Sequence, residues 1–163
     1  MSQYAIFYDW AQPRHGIPTI LMIVLGVIVA AAFAYCAWTD IRSTLIMNYV
    51  TYPLILGSLI AAPLLWEDWV SHLIIAGVFG ILFLGLAYMK IGGNYMFGMG
   101  DTKLYTAAAL ILGLGFIPCM LISCLTSMLH ASALRRMHGK LIMGPHIALG
   151  TIIMLAVGAL AAA

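Results

Sequence analysis

The sequence predicts an all-α polytopic membrane protein with about six transmembrane helices. Of its 163 residues, 64% are hydrophobic and only 7% are charged, whereas a soluble domain has roughly 45–50% apolar and about 25% charged residues. So few charges cannot cover a folded body of this size in water. Since one helical crossing of a bilayer takes about 20 apolar residues, the chain is long enough for about five or six crossings. The lipid bilayer is therefore its expected surrounding.

Charged residues and helix-breaking segments divide the chain into six apolar runs, which we interpret as one transmembrane domain over residues 1–163. The uncharged run from Leu104 to Leu134 is too long for one comfortable crossing, and the sequence GLGFIP at 113–118 supplies the break. The predicted spans are 17–38, 45–66, 70–89, 102–116, 118–134 and 145–162.

The positive charges predict an orientation. When the spans alternate, six of the seven basic residues fall on one side of the membrane and Arg14 falls on the other. Because Lys and Arg accumulate on the cytoplasmic side, we expect a multi-pass protein of the cell (inner or cytoplasmic) membrane with both termini outside the cytoplasm. The six residues on the cytoplasmic side are Arg42, Lys90, Lys103, Arg135, Arg136 and Lys140. Asp40 and the glycine-rich loop around Asp101 fall on that side too.

Several function classes are excluded. The net charge is only +2 and no basic cluster exceeds the pair Arg135 and Arg136, which argues against nucleic acid as a partner. The cysteines Cys36, Cys119 and Cys124 lie in apolar stretches without a C-x-x-C pair, and the five histidines are scattered, so no metal site is predicted. The sequence calls for no cofactor and gives no indication of an oligomeric state.

Two of the five acidic residues are distinctive. Asp40 ends the first apolar run, and Asp101 follows Gly98 and Gly100 at the mouth of the fourth. Ionisable residues at the edge of a membrane bundle are costly to desolvate, which makes them candidates for function. Each also has a structural interpretation, because Asp101 can stabilise a helix N-terminus and Asp40 can pair with Arg42.

Two carboxylates brought together in a partly dry site can hydrolyse a peptide bond. They cannot both ionise, so one keeps a proton while the other takes a proton from water. The ionised group acts as the general base on the attacking water, and the protonated group polarises the carbonyl and later helps to protonate the leaving amine. This is the arrangement of aspartic proteases, in which the pair titrates as a unit. Gly98 and Gly100 would allow a substrate strand or the second carboxylate to approach the backbone closely.

The segments around both aspartates resemble the motifs of the type IV prepilin peptidases. The segment DIRSTLIMNYVTYP at 40–53 is similar to the first catalytic motif, FGMGDTKL at 97–104 resembles the G-x-G-D-x-K-L motif, and GPHIALG at 144–150 resembles the start of the last helix. The matching positions are Asp40, Arg42, Asn48, Thr51 and Pro53 in the first motif and Gly98, Gly100, Asp101, Lys103 and Leu104 in the second. The resemblance covers nearly the whole chain.

This resemblance implies the helical bundle of the GxGD aspartyl proteases and an aspartic-type endopeptidase. Its substrate would be a type IV prepilin or pilin-like precursor, whose basic leader peptide is cut at the cytoplasmic face of the membrane. The long bacterial members carry a zinc-binding insertion with C-x-x-C pairs, which this sequence lacks, so the resemblance is to the short members that serve Flp/Tad-type or archaeal pili. The implied catalytic residues are Asp40 and Asp101, with supporting or substrate-positioning roles for Gly98, Gly100, Lys103, Arg42 and Asn48.

Two other functions stay open on the sequence. A small multi-span transporter or substrate-binding membrane component would use Asp40 and Asp101 to bind a cation or a polar solute. A presenilin-like intramembrane protease would share the Gly-x-Gly-Asp arrangement but cut within a transmembrane helix. Cleavage of a pilin precursor, and the position of the cut, distinguish these alternatives.

Overall fold

Helices form nearly all of the regular structure. A computed structural model describes residues 13, 16–91, 94–95, 97–133 and 142–161. Within these residues the α-helices are α1 Thr19–Ser43, α2 Asn48–Leu65, α3 Trp69–Tyr88, α4 Met99–Leu112, α5 Phe116–Ala133 and α6 Gly144–Ala161. Two short antiparallel strands, β1 Lys90–Ile91 and β2 Asn94–Tyr95, precede α4. The predicted all-α membrane class is confirmed.

The outer surface of the bundle is apolar. Helices α1, α2 and α3 and the stretch formed by α4 and α5 are each long and apolar enough to cross a membrane, and α6 is a shorter apolar helix. Lipid is the medium in which such a surface is stable, because an exposed aliphatic side chain costs nothing there. Large aliphatic side chains that point outward include Ile20, Val27, Ile28, Ile60, Ile81, Leu121 and Leu125.

Small hydroxyl side chains lie inside the bundle instead. Thr51, Ser123 and Thr151 are fully buried, and each donates a hydrogen bond to the backbone carbonyl four residues earlier in the chain. Small residues let helices approach closely in a membrane, and a satisfied hydroxyl carries no desolvation penalty. The bundle is therefore held by close packing around small residues.

Helix α4 occupies the centre of the bundle and packs against α2, α3 and α6. Nine of its 14 residues are buried, and the run Ala107, Ala108 and Ala109 is completely inaccessible. Three consecutive alanines present no bulk on any face, so neighbouring helices can surround α4 on several sides. The N-terminal turn of this central helix carries Asp101.

The chain folds back on itself between α4 and α5. The ring centroids of Tyr105 in α4 and Phe116 in α5 lie 5.7 Å apart with an interplanar angle of 86°, whereas the same stretch of straight helix would extend about 16 Å. The reversal occurs in a 3-10 turn at Gly113–Gly115, where Gly113 has a φ of 51° and a ψ of −127°. Pro118 follows in the first turn of α5, where a missing N–H costs no helical hydrogen bond.

Two helices extend beyond the predicted spans at positions that matter for the site. Helix α1 continues through Asp40 to Ser43, and α4 begins at Met99, before Asp101. Charged residues end an apolar run, but at a membrane edge they do not interrupt the backbone hydrogen bonds of a helix. The assignment of residues 102–116 and 118–134 to separate membrane crossings stays a prediction.

The turn at Gly113 allows a first test. A Cβ at Gly113 would lie 2.6 Å from the ring of His72, and the positive φ is unfavourable for any other residue. His72 cannot yield easily, because it is buried, stacks on Trp66 and shares a hydrogen bond with the Leu110 carbonyl. We expect Gly113→Ala to cost about 1–3 kcal/mol of stability from backbone strain alone, measured as a lower thermal unfolding midpoint in detergent.

The matched control is Gly77→Ala. Gly77 lies inside α3 with nothing near its Cβ position, and alanine is favoured over glycine in a helix by about 1 kcal/mol. This variant should keep or raise the unfolding midpoint. Equal midpoints for the two variants would contradict the account of the turn.

Candidate active site

Asp40 lies in the last turn of α1 and is only 6% exposed. The helix ends at Thr44, which adopts the left-handed conformation with a φ of 53° and donates its backbone N–H to the Asp40 carbonyl over 2.9 Å. This conformation is uncommon for a β-branched residue and is tolerated only where the surroundings enforce it. It turns the chain sharply, so that Leu45 and Ile46 line the space beside Asp40.

Asp101 lies in the first turn of α4, three residues after the N-cap residue Gly98. Its carboxylate folds back toward that residue, because a Cβ built on Gly98 would stand 2.6 Å from Asp101 Oδ2. The first turn of a helix favours a negative charge through its unpaired N–H groups and the helix dipole. The glycine at 98 thus leaves room for the carboxylate at the helix N-terminus.

Asp40 and Asp101 line the same cavity, which has a volume of about 350 Å³. Its size lies at the lower end of the range of about 300–1,000 Å³ that is typical of ligand pockets. The remaining lining residues are Thr44, Leu45, Ile46, Asn48, Gly98, Met99, Gly100, Lys103 and Ile142. The cavity therefore combines two carboxylates and one ammonium group with an apolar rim.

Gly100 is required by close packing. A Cβ at this position would lie 2.9 Å from the Cβ of Ile46, which belongs to the segment between α1 and α2. An atom so close to the backbone cannot move without displacing the chain. The glycine at 100 therefore sets how closely α4 approaches the segment that follows Asp40, and with it the relative position of the two aspartates.

Lys103 and Asn48 are brought together at the rim of the cavity. Lys103 Nζ donates a hydrogen bond to Asn48 Oδ1 over 2.7 Å, and it also lies 4.6 Å from the centre of the Tyr52 ring. These contacts join the first turns of α4 and α2 and hold the ammonium group beside the carboxylates. Arg42 is placed differently, because its guanidinium stacks over the Trp38 ring at 3.9 Å and it does not line the cavity.

Gly144 is a site residue that the sequence analysis did not select. Its backbone N–H donates a hydrogen bond to Asp40 Oδ2 over 2.8 Å, and a Cβ there would stand 2.6 Å from the same oxygen. Gly144 begins α6, so the carboxylate of Asp40 accepts one of the N–H donors that a helix start leaves unpaired. The motif GPHIALG marked this glycine as the start of a helix. Only the tertiary contact with α1 shows that it binds the Asp40 carboxylate.

Two histidines that are distant in sequence also meet. His130 Nδ1 and His146 Nε2 lie 3.1 Å apart, where α5 packs on the first turn of α6. In the described part of the chain, no group of three or more His, Cys, Asp or Glu side chains is placed to hold a metal ion.

This arrangement can carry out acid–base chemistry on a bound molecule. Carboxyl groups that line a cavity can accept protons from a molecule bound there or donate protons to it. The rim supplies apolar surface and a cation that can orient a polar group of the bound molecule.

Comparison with known proteins gives one match. The sequence model of the type IV leader peptidase family matches residues 27–133, a range that includes both aspartates and the glycines that precede Asp101. No curated protein and no solved structure gives a significant match. Because the matched range spans more than half of the chain and contains the cavity's two carboxylates, this membrane protein belongs to the type IV leader peptidase family and is a protease.

Proposed function

We propose that the chain is an aspartic endopeptidase that removes the basic leader peptide from type IV prepilin-like precursors at the cytoplasmic face of the membrane. The observation that carries the proposal is that Asp40 and Asp101, from the ends of two different helices, line one cavity. Membership in the leader peptidase family supports the same substrate class. Family membership also favours a protease over a transporter.

In the proposed mechanism the two carboxylates act on a water molecule and a peptide carbonyl. The ionised carboxylate takes a proton from the water, whose oxygen attacks the carbonyl carbon. The protonated carboxyl donates a hydrogen bond to the carbonyl oxygen and stabilises the charge that develops there. When the C–N bond breaks, a proton returns to the leaving amine. Because the pair titrates as a unit, no fixed role is assigned to Asp40 or Asp101.

The rim of the cavity supports binding of an extended peptide next to an apolar helix. Lys103 has three N–H donors; one goes to Asn48, and the others can orient a substrate carbonyl. Met99, Leu45 and Ile46 supply apolar surface on the same cavity. A precursor with a polar leader followed by a membrane-anchored helix presents both kinds of surface at the membrane edge.

The charge distribution supports a cytoplasmic site. Of the described basic residues, Arg42 and Lys103 lie at the same helix ends as the two aspartates, and Lys90 precedes the loop that leads into α4. Glu67 and Asp68 lie at the opposite end of α2, in the connection to α3. An excess of positive charge marks the cytoplasmic side, so the cavity would open toward the leader peptide.

The catalytic pair is tested by isosteric substitution. We expect Asp40→Asn and Asp101→Asn each to lower cleavage of a pilin precursor by on the order of 10²–10⁴-fold or more, because a single carboxylate cannot serve as both base and acid. An asparagine keeps the shape of the side chain, so thermal unfolding in detergent should change little. The readout is the rate of product formation by purified protein with a full-length precursor.

Glu67→Gln is the matched control for these variants. It removes one negative charge at the other end of the bundle and should keep nearly full activity. If either aspartate variant turns over precursor as fast as wild type, the aspartic mechanism is wrong.

The glycines before Asp101 test the geometry of the pair. Gly98→Ala would push the Asp101 carboxylate from its place, and a shift of about 1 Å can lower a rate on the order of 100-fold. Gly100→Val should inactivate as well, by moving α4 away from Ile46 while both carboxylates remain. Gly57→Ala, in open space on α2, is the control and should stay active. Wild-type rates for Gly98→Ala would show that the carboxylate does not need this position.

The orientation is tested by labelling in intact cells. In a background with Cys124→Ser, which removes the exposed native thiol, a cysteine at Lys90 should react with a membrane-impermeant maleimide only after the cytoplasm is opened. A cysteine at Asp68 should react from outside, and tags on either terminus should be accessible from outside. The opposite pattern would place the cavity outside the cytoplasm and contradict the proposed encounter with the leader peptide.

A further inference from the structure

The start of α6 makes three contacts that the proposed reaction does not yet explain. Within the segment 144–150, Gly144 contacts Asp40, His146 contacts α5 through its carbonyl and its ring, and Gly150 lies against α5. These contacts join α1, α5 and α6 at the end of the bundle that holds the aspartates.

The first residue of α6 contacts the carboxylate of Asp40 directly. The Gly144 N–H reaches Asp40 Oδ2 over 2.8 Å in a buried environment. The Asp40 Cβ and Cγ would lie 2.9 and 3.1 Å from a Cβ at position 144, so the carboxylate rests directly on the glycine backbone. A hydrogen bond from an N–H to a carboxylate fixes its orientation and is stronger than one between neutral groups.

The position of the Gly144 amide is in turn set by α5. Ser123, which is fully buried, approaches the His146 carbonyl with its hydroxyl at 3.0 Å. Four residues farther along α6, a Cβ at Gly150 would lie 2.6 Å from the Cys119 carbonyl oxygen. This close approach leaves α6 no freedom to slide or rotate against α5 at this level.

A hydrogen-bond chain fixes the His146 ring as well. The Thr126 hydroxyl donates to the Ile122 carbonyl over 2.8 Å, so its oxygen accepts from His146 Nδ1 over 3.1 Å. The other ring nitrogen then faces His130 Nδ1 at 3.1 Å. The first turn of α6 is thereby attached to α5 through both its backbone and a side chain.

We propose that Gly144 is a positioning residue for the reaction: its amide holds the Asp40 carboxylate in the orientation that catalysis requires, and the contacts of His146 and Gly150 with α5 fix that amide in place. This inference rests on the proposed function, because the reaction that it serves is the hydrolysis by Asp40 and Asp101. In this proposal Gly144 contacts the carboxylate directly, whereas His146 and Gly150 act by fixing the position of Gly144.

The first test is the kinetics of Gly144→Ala with a full-length pilin precursor. The new Cβ displaces the Asp40 carboxylate, so kcat should fall on the order of 100-fold while KM changes little, because the binding surface is retained. Asp101 and Lys103, which share the cavity, are unchanged in this variant.

Gly26→Ala is the matched control, since Gly26 lies in α1 with open space at its Cβ position. It should keep the kcat and the KM of wild type. A Gly144→Ala variant with wild-type kcat would overturn the proposal, and so would a loss confined to KM.

A second measurement does not depend on activity. Thermal unfolding of Gly144→Ala, Asp40→Ala and the double variant forms a cycle that measures the coupling between the two positions. If the amide holds the carboxylate, Gly144→Ala should lower the unfolding midpoint less when Asp40 is already alanine. Additive changes would overturn the proposal. If the coupling is observed but the purified protein cleaves no precursor, the contact between Gly144 and Asp40 is supported and the proposed function is refuted instead.

Discussion

The site depends on one recurring contact, in which a carboxylate lies against the backbone of a glycine at a helix N-terminus. Asp101 occupies the space beside Gly98 at the start of α4, and Asp40 accepts the N–H of Gly144 at the start of α6. Unpaired N–H groups and the helix dipole stabilise negative charge at both places. Helix ends can therefore contribute to holding two carboxylates at the edge of an apolar bundle, because they supply N–H donors and a favourable dipole.

Much of this arrangement could be predicted from the sequence. The scarcity of charge predicts the membrane, the apolar runs predict the helices, and two isolated acids at the ends of apolar runs indicate the candidate site. Asp40 and Asp101 line one cavity with Asn48, Gly98, Gly100 and Lys103. Of the residues given catalytic or supporting roles from the motifs, Arg42 alone does not line it. The reason for this agreement is local: each of these residues lies within eight positions of an aspartate, so a short motif already brings most of them together.

The contacts that could not be predicted join segments far apart in the chain. Gly144 lies more than a hundred residues after Asp40, and no pattern in 144–150 indicates which helix it meets. The pairing of His130 with His146 depends on the register of α5 against α6, and Arg42 turns to Trp38 because an indole ring lies one turn away. The bounds of two helices also differ from the predicted spans, because α1 and α4 extend past the apolar runs and include the aspartates in their terminal turns.

The most direct test of the account is the N-terminal sequence of the product that purified protein forms from a membrane-anchored pilin precursor. We expect one new N-terminus at the junction between the basic leader and the apolar helix, because the two carboxylates lie in the end turns of apolar helices rather than at their centres. A cut inside the apolar helix would indicate an intramembrane protease of the presenilin kind. The absence of any shortened product from a panel of such precursors, together with solute flux in liposomes that depends on Asp40 and Asp101, would contradict the proposed peptidase function.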